Sequence, residues 1–234
     1  MSTTQSTGFL YPFIDAEERD ARPLMADLAA SARDKAHESA ALQRATLAEC
    51  AELIVAAAEQ IARRFAAGGR MYAFGNGGSS TDAATLAALF AQPVTGRPLP
   101  ALNLAADQAV VTALGNDVGF ELVFSRQIIA HATSRDIAIA MSTSGNSADL
   151  MRALREASGR GLVTIGFAGY TGGEMATSDA VDFCFVVRSQ SIHRIQESQA
   201  LVGYQLWAAT QSALASLSPT VAPAPSAPTS GGRT

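Results

Sequence analysis

Two short runs of glycine, asparagine and hydroxyl residues have the composition to hold an anion. The first is Gly75-Asn76-Gly77-Gly78-Ser79-Ser80, and the second is Ser142-Thr143-Ser144-Gly145-Asn146-Ser147. Each follows a short apolar stretch of strand character, RMYAF (70–74) and DIAIAM (136–141), and each precedes a helical pattern. A helix start leaves backbone N–H groups without partners and carries the positive end of the helix dipole. Glycines let the backbone come close to a ligand there, and hydroxyls add neutral donors. No lysine follows either run, so neither is the GxxxxGK[ST] phosphate loop. The first run is not GxGxxG either, and no acidic residue ends the next strand, ALNL.

Taken singly, each loop also reads as a capped helix start with no ligand. Both together, at the carboxyl ends of parallel strands, form the kind of crevice in which open α/β sheets bind ligands. The candidate binding residues are Asn76, Gly77, Gly78 and Ser79 in the first loop and Ser142, Thr143, Ser144 and Ser147 in the second. A phosphorylated sugar is the ligand this chemistry suits. Gly115-Asn116-Asp117 offers an amide and a carboxylate for sugar hydroxyls, or is a plain turn between two helices. His193-Arg194-Ile195-Gln196-Glu197 opens the last long helix. It offers an imidazole and a carboxylate, or a solvated first turn. His37 and His131 fall outside these motifs and read as surface residues.

The elements that must position these loops alternate between strand and helix. After the first loop the pattern predicts a helix over 79–91, a weak strand over 101–104 and helices near 107–115 and 120–132. After the second loop it predicts a helix to about 158, strands over 162–167 and 181–187, and a long helix over 191–216. Five strands alternating with helices imply an α/β fold with a mostly parallel sheet covered on both faces. Ahead of them, residues 16–69 read as an N-terminal helical pair, one helix interrupted at Arg22-Pro23 and one starting at Thr46 and stopped by Gly68-Gly69. The pair reads as an oligomerisation layer, 1–15 as a flexible arm, 70–217 as the ligand-binding domain and 218–234, rich in Pro, Ser and Gly, as a disordered tail.

Composition excludes several classes. Hydrophobic residues make up 48 % of the 234, enough for a sizeable core, and a formal net charge of −4 argues against a nucleic-acid surface. No run approaches the length of a membrane span, and the first 20 residues lack the apolar core of a signal peptide. The reading is a cytoplasmic protein. Cys50 and Cys184 lie far apart, without metal-ligand spacing, and read as two buried thiols.

FGNGGSSTDA, GNDVGFELVFSRQI, STSGNSADL and RIQE, in that order, resemble the sugar isomerase (SIS) domain family, over roughly residues 40–216. The branch most similar comprises the phosphoheptose isomerases, which act on sedoheptulose 7-phosphate, together with the DnaA initiator-associating protein, a binding factor. The resemblance implies a flavodoxin-like SIS fold, a homotetramer and a sugar phosphate bound by Asn76, Gly77, Gly78, Asn116, Asp117, Ser142, Thr143, Ser144, Ser147 and Gln196. The family also holds zinc on two histidines, a glutamate and a glutamine. Here those positions are Thr85, Leu89, Gln196 and Tyr204, so the sequence predicts no metal and no cofactor. The acid–base pair of the isomerases is lost with them. Glu197 and His193 stand as candidate catalytic replacements for a metal-independent aldose–ketose isomerase. The alternative is a non-catalytic phosphosugar sensor or adaptor.

Overall fold

The structure, a computed structural model, describes residues 22–217. The arm expected over 1–15 and the tail over 218–234 lie outside the described residues. The chain divides into two compact units, one ending at Ala41 and the other beginning at Leu42. In the first unit, the described residues are helical and largely exposed.

Where the sequence suggests a helical pair, the structure has one helix, α1 (Arg22–Ala66). The reason lies in the residues. No glycine or proline occurs between Leu24 and Ala66, and Pro23 stands in the first turn, where its missing N–H costs no hydrogen bond. The helix ends as expected at Gly68, whose φ is +80°, with the N–H of Gly69 returning to the carbonyl of Arg64.

In the second unit, five strands form one all-parallel sheet: β1 (Met71–Gly75), β2 (Ala101–Asn103), β3 (Ile137–Met141), β4 (Val163–Gly169) and β5 (Phe183–Val187). Their order across the sheet is β2-β1-β3-β4-β5, the flavodoxin-like order. The helices are α2 (Gly78–Ala91), α3 (Gln108–Asp117), α4 (Val123–His131), α5 (Ala148–Gly159) and α6 (Ile192–Leu217). The parallel α/β expectation holds. Two details differ. The helix expected from 120 begins with a 3-10 turn at Phe120–Leu122. The supposed turn at Gly115-Asn116-Asp117 is the last turn of α3, because the break comes later, at Gly119 with φ of +106°.

Strand alternation sends side chains to two core layers. Met71, Ala73, Ile137, Ile139 and Met141 meet α1, α2 and α6 through Ile61, Phe65, Phe90 and Leu206. Tyr72, Phe74, Ala138 and Ala140 meet α4 and α5 through Phe124, Ile128, Leu150 and Leu154. In β3 the second face is all alanine, which lets α5 approach closely. Because β1 is flanked by β2 on one side and β3 on the other, the direction of chain progression reverses between β1 and β3. The loops following these two strands therefore diverge onto opposite faces and leave a crevice.

Cys50 is buried and Cys184 half-buried. Burial pushes the Cys184 thiol up to about 11, with Cys50 nearby adding to it. A thiol whose pKa is higher folded than unfolded stabilises the fold below its unfolded value and loses that contribution as pH climbs toward the folded one. Melting temperature is expected to fall from pH 9 to 11, and Cys184→Ala to flatten that fall, as circular dichroism melts will show.

Candidate functional site

The two loops identified by composition face one another. Gly75, the last residue of β1, pairs in register with Met141, the last of β3. A Cβ on Gly75 would stand 2.6 Å from the carbonyl oxygen of Ser79 and 2.8 Å from that of Met141. Only glycine allows α2 to start so close to β3. A Cβ on Gly78 would lie 2.7 Å from Nε2 of Gln196, so α6 also packs tightly against this loop.

The loop after β3 is pinned from below. Ser142 N–H donates to the Phe167 carbonyl, Gly169 N–H to that of Thr143, Met175 N–H to that of Gly145, and Gln199 Nε2 to that of Ser142. Its carbonyls are thus occupied by the scaffold. What remains toward solvent are hydroxyls and the first-turn N–H groups of α5. Asn76, Ser79, Ser142, Thr143, Ser144 and Ser147 line a single cleft of about 110 Å³, floored by Met141 and Leu150. Inside the loop, Ser142 Oγ accepts from Gly145 N–H at 3.0 Å and Ser144 Oγ from Asn146 N–H at 3.2 Å. The two oxygens stand 3.5 Å apart.

The alternative to a ligand loop is a side-chain-capped helix start, and no such side-chain cap forms at either loop. Ser147 precedes α5 and Gly77 precedes α2, and neither makes a side-chain capping bond. Elsewhere the same chain caps conventionally: Asp107 accepts from the N–H groups of Ala109 and Val110 to start α3. At the start of α2 the Ser80 N–H is taken by the carbonyls of Asn76 and Gly77, whereas no Ser147 side-chain bond occupies the first N–H groups of α5.

Other expected site residues are placed differently. Gln196 Nε2 donates to Asp82 Oδ2 at 2.7 Å, bridging α6 and α2. Asn116 and Asp117 are exposed, bonded to one another at 2.8 Å, and outside the cleft lining. His193 and Glu197 are exposed on the opening turns of α6 and line neither this cleft nor the cavity beside it. Gly77 and Gly78 shape the first loop without lining the cleft.

That adjoining cavity, of about 60 Å³, shares Met141 with the cleft and is lined by Asp82, Thr85, Leu86, Leu89, Gln199 and Tyr204 among others. It is lined by three of the four positions at which the family resemblance implies zinc, Thr85, Leu89 and Tyr204. The residues present do not fit that metal. The Thr85 hydroxyl donates back to the Thr81 carbonyl, Leu89 packs on the core, Gln196 is tied to Asp82, and the Tyr204 ring leans on Trp207. Zinc takes imidazole, thiolate or carboxylate, and only Asp82 supplies one. Among the described residues no group of three or more His, Cys, Asp or Glu side chains is gathered anywhere.

Three site residues were not apparent from sequence. Asp82 shares one face of α2 with Thr85, Leu86 and Leu89, a spacing of three, four and seven that a helical projection would have exposed. Asp149 is buried and accepts from Asn76 Nδ2 at 2.8 Å, joining the two loops; in sequence it looks like an ordinary first-turn acid. Gln199 has no local signature at all.

The SIS domain family profile matches residues 36–169, more than half of the chain. The chain belongs to the SIS domain family. Within it, the similarity is to the phosphoheptose isomerases. The enzyme of that name from Solidesulfovibrio magneticus is 42 % identical over 171 residues, covering 72 % of this chain and 82 % of the relative. The Rhodospirillum rubrum phosphoheptose isomerase is 40 % identical over 176 residues, covering 73 % and 90 %. Among solved structures, the Neisseria gonorrhoeae phosphoheptose isomerase superposes with a TM-score of 0.73 at 32 % identity, over 79 % of this chain and 99 % of the other. The fold of this SIS domain is therefore that of the solved phosphoheptose isomerase over most of its length. No helix among the described residues is long and apolar enough to cross a membrane.

Proposed function

We propose that this SIS domain binds a sugar phosphate in the cleft between the loops after β1 and β3, and interconverts its ketose and aldose forms by proton transfer among protein side chains, without resident zinc. The observation that carries the reading is the pair of uncapped helix starts converging on one hydroxyl-lined cleft. The phosphoryl group sits on Ser142, Thr143, Ser144 and Ser147. The sugar hydroxyls reach Asn76 and Ser79, with Gln196 close behind Gly78. Sedoheptulose 7-phosphate is the reference substrate, because the relatives are named for that chemistry. Asn116 and Asp117 remain proposed hydroxyl ligands on the strength of the family resemblance. So do the homotetramer and the cytoplasmic location. With a net charge of −4, direct nucleic-acid binding is not expected.

Isomerisation removes a proton from the carbon beside the carbonyl and returns one to its neighbour, so a base and an acid must stand near the first two carbons. Asp82 supports the reading as the carboxylate that lines the cavity next to the cleft, and Tyr204 as a hydroxyl on its far wall. His193 and Glu197, in the first and second turns of α6, are the sequence-based alternatives.

A second reading is binding without turnover, as in a phosphosugar sensor or adaptor. It is favoured by the replacement of charged groups with Thr85 and Leu89 around the cavity. An isomerase assay with sedoheptulose 7-phosphate in a strong chelator separates the two. The proposal expects turnover that chelator leaves intact and Asp82→Asn removes, with binding retained. Turnover that needs added zinc contradicts the metal-free assignment, and saturable binding with no conversion of heptose or hexose phosphates selects the sensor.

A further inference from the structure

Every side chain lining the phosphate cleft is neutral, yet a carboxylate stands directly behind one of them. Asp149, in the first turn of α5, is 5 % exposed and accepts from Asn76 Nδ2 at 2.8 Å. Asn76 lines the cleft and Asp149 does not. A buried negative charge beside a place for an anion is unfavourable twice over, since the carboxylate loses water and repels the ligand. It also competes with that ligand for the positive end of α5. The carboxylate does one thing that a neutral side chain does not. It only accepts hydrogen bonds, so it admits one orientation of the Asn76 amide, with the nitrogen toward Asp149. Among the described residues no protein donor reaches the Asn76 Oδ1, and that atom is not one of the buried polar atoms left without a partner. It is the end of the amide left for a ligand in the cleft.

We infer that Asp149 is a positioning residue that turns Asn76 so that the cleft meets an acceptor there, one that takes a sugar hydroxyl and repels a phosphoryl oxygen. Left free, the amide would swing its N–H toward the phosphoryl group, because hydrogen bonds to an anion are the stronger ones. The carboxylate holds that N–H back. The hydroxyl loop after β3 then remains the place for the phosphoryl group, and Asn76 reads the sugar. This inference rests on the phosphoryl placement proposed above.

The test is calorimetric titration of the full chain with sedoheptulose 7-phosphate and with inorganic phosphate, before and after Asp149→Asn. The substitution keeps the size of the side chain and a hydrogen bond to Asn76, so the fold is retained, and it frees the Asn76 amide to reverse. Inorganic phosphate gains a donor and loses a repelling charge, so it is expected to bind at least about threefold tighter, and the preference for the sugar ester over phosphate to fall at least about fivefold. In an Asn76→Ala background the same substitution is expected to leave that preference unchanged, because Asp149 acts through Asn76. A carboxylate that only steadies the helix start would alter both ligands by one factor. A preference that Asp149→Asn leaves unchanged, or one that it still alters without Asn76, overturns the inference and leaves the phosphoryl site standing. No binding of either ligand to the unaltered chain overturns the phosphoryl reading and this inference together.

Discussion

Replacing Ser142 and Ser144 together by alanine is expected to weaken sugar-phosphate binding by about a hundredfold or more. Both hydroxyls line the cleft, 3.5 Å apart. A hydrogen bond to a charged group contributes about 1.5–3 kcal/mol, so losing two removes about 3–6 kcal/mol, or roughly two to four decades in Kd. The change also touches the loop itself, because Gly145 and Asn146 would lose the hydroxyl acceptors of their N–H groups. Melting temperature is therefore measured beside affinity. Ser147→Ala serves as the cleaner companion: its side chain makes no capping bond, so it is expected to lower affinity about tenfold and leave stability alone. Unchanged affinity in both variants would remove the hydroxyl loop from the site.

The second large effect is on the backbone. Gly145 is buried at the tip of the phosphate loop with φ of +69°, and a Cβ there would run into the carbonyl of Gly172 and come within 3.2 Å of Ala168. A left-handed conformation costs a residue with a Cβ about 1–2 kcal/mol, and here the overlap with rigid backbone adds to it. Against a total stability of about 5–15 kcal/mol, Gly145→Ala is expected to lower the melting temperature by about 10 °C or more and to abolish ligand binding. Gly159→Ala, at the end of α5 with open space around it, is the control and is expected to leave both unchanged. Equal behaviour of the two variants would show that the loop tolerates displacement and that its fixed geometry is not what binds.

These residues also show what the sequence discloses and what it withholds. The loops after β1 and β3 are legible because glycines and hydroxyls cluster where an apolar strand pattern stops and a helical one starts, and that signal is local. The five strands are legible for the same reason, although β2, at the sheet edge, is only the three residues Ala101–Asn103. The single helix α1 reads as a pair in the sequence because its apolar stripe is clear only from Thr46 onward, although no glycine or proline between Leu24 and Ala66 breaks it. Gly115 misled in the opposite direction, since an isolated glycine is tolerated inside α3. The cavity was out of reach. It is assembled from α2 and α6, more than a hundred residues apart, with Met141 of β3 between them, and Asp82 and Gln199 acquire meaning only when Gln196 Nε2 finds one carboxylate and Gln199 Nε2 finds the Ser142 carbonyl. The catalytic candidates suffer from the same distance. His193 and Glu197 sit beside the motif residue Gln196 in sequence, yet the helix turns them to solvent while Gln196 faces α2.

The crystal structure of the chain soaked with a sugar phosphate tests the central claim most directly. The account predicts the phosphoryl oxygens within hydrogen-bond distance of the Ser142, Ser144 and Ser147 side chains and the first N–H groups of α5, with no cation bridging them. An ester seated elsewhere on the protein, or held at this place by a metal ion, would contradict it.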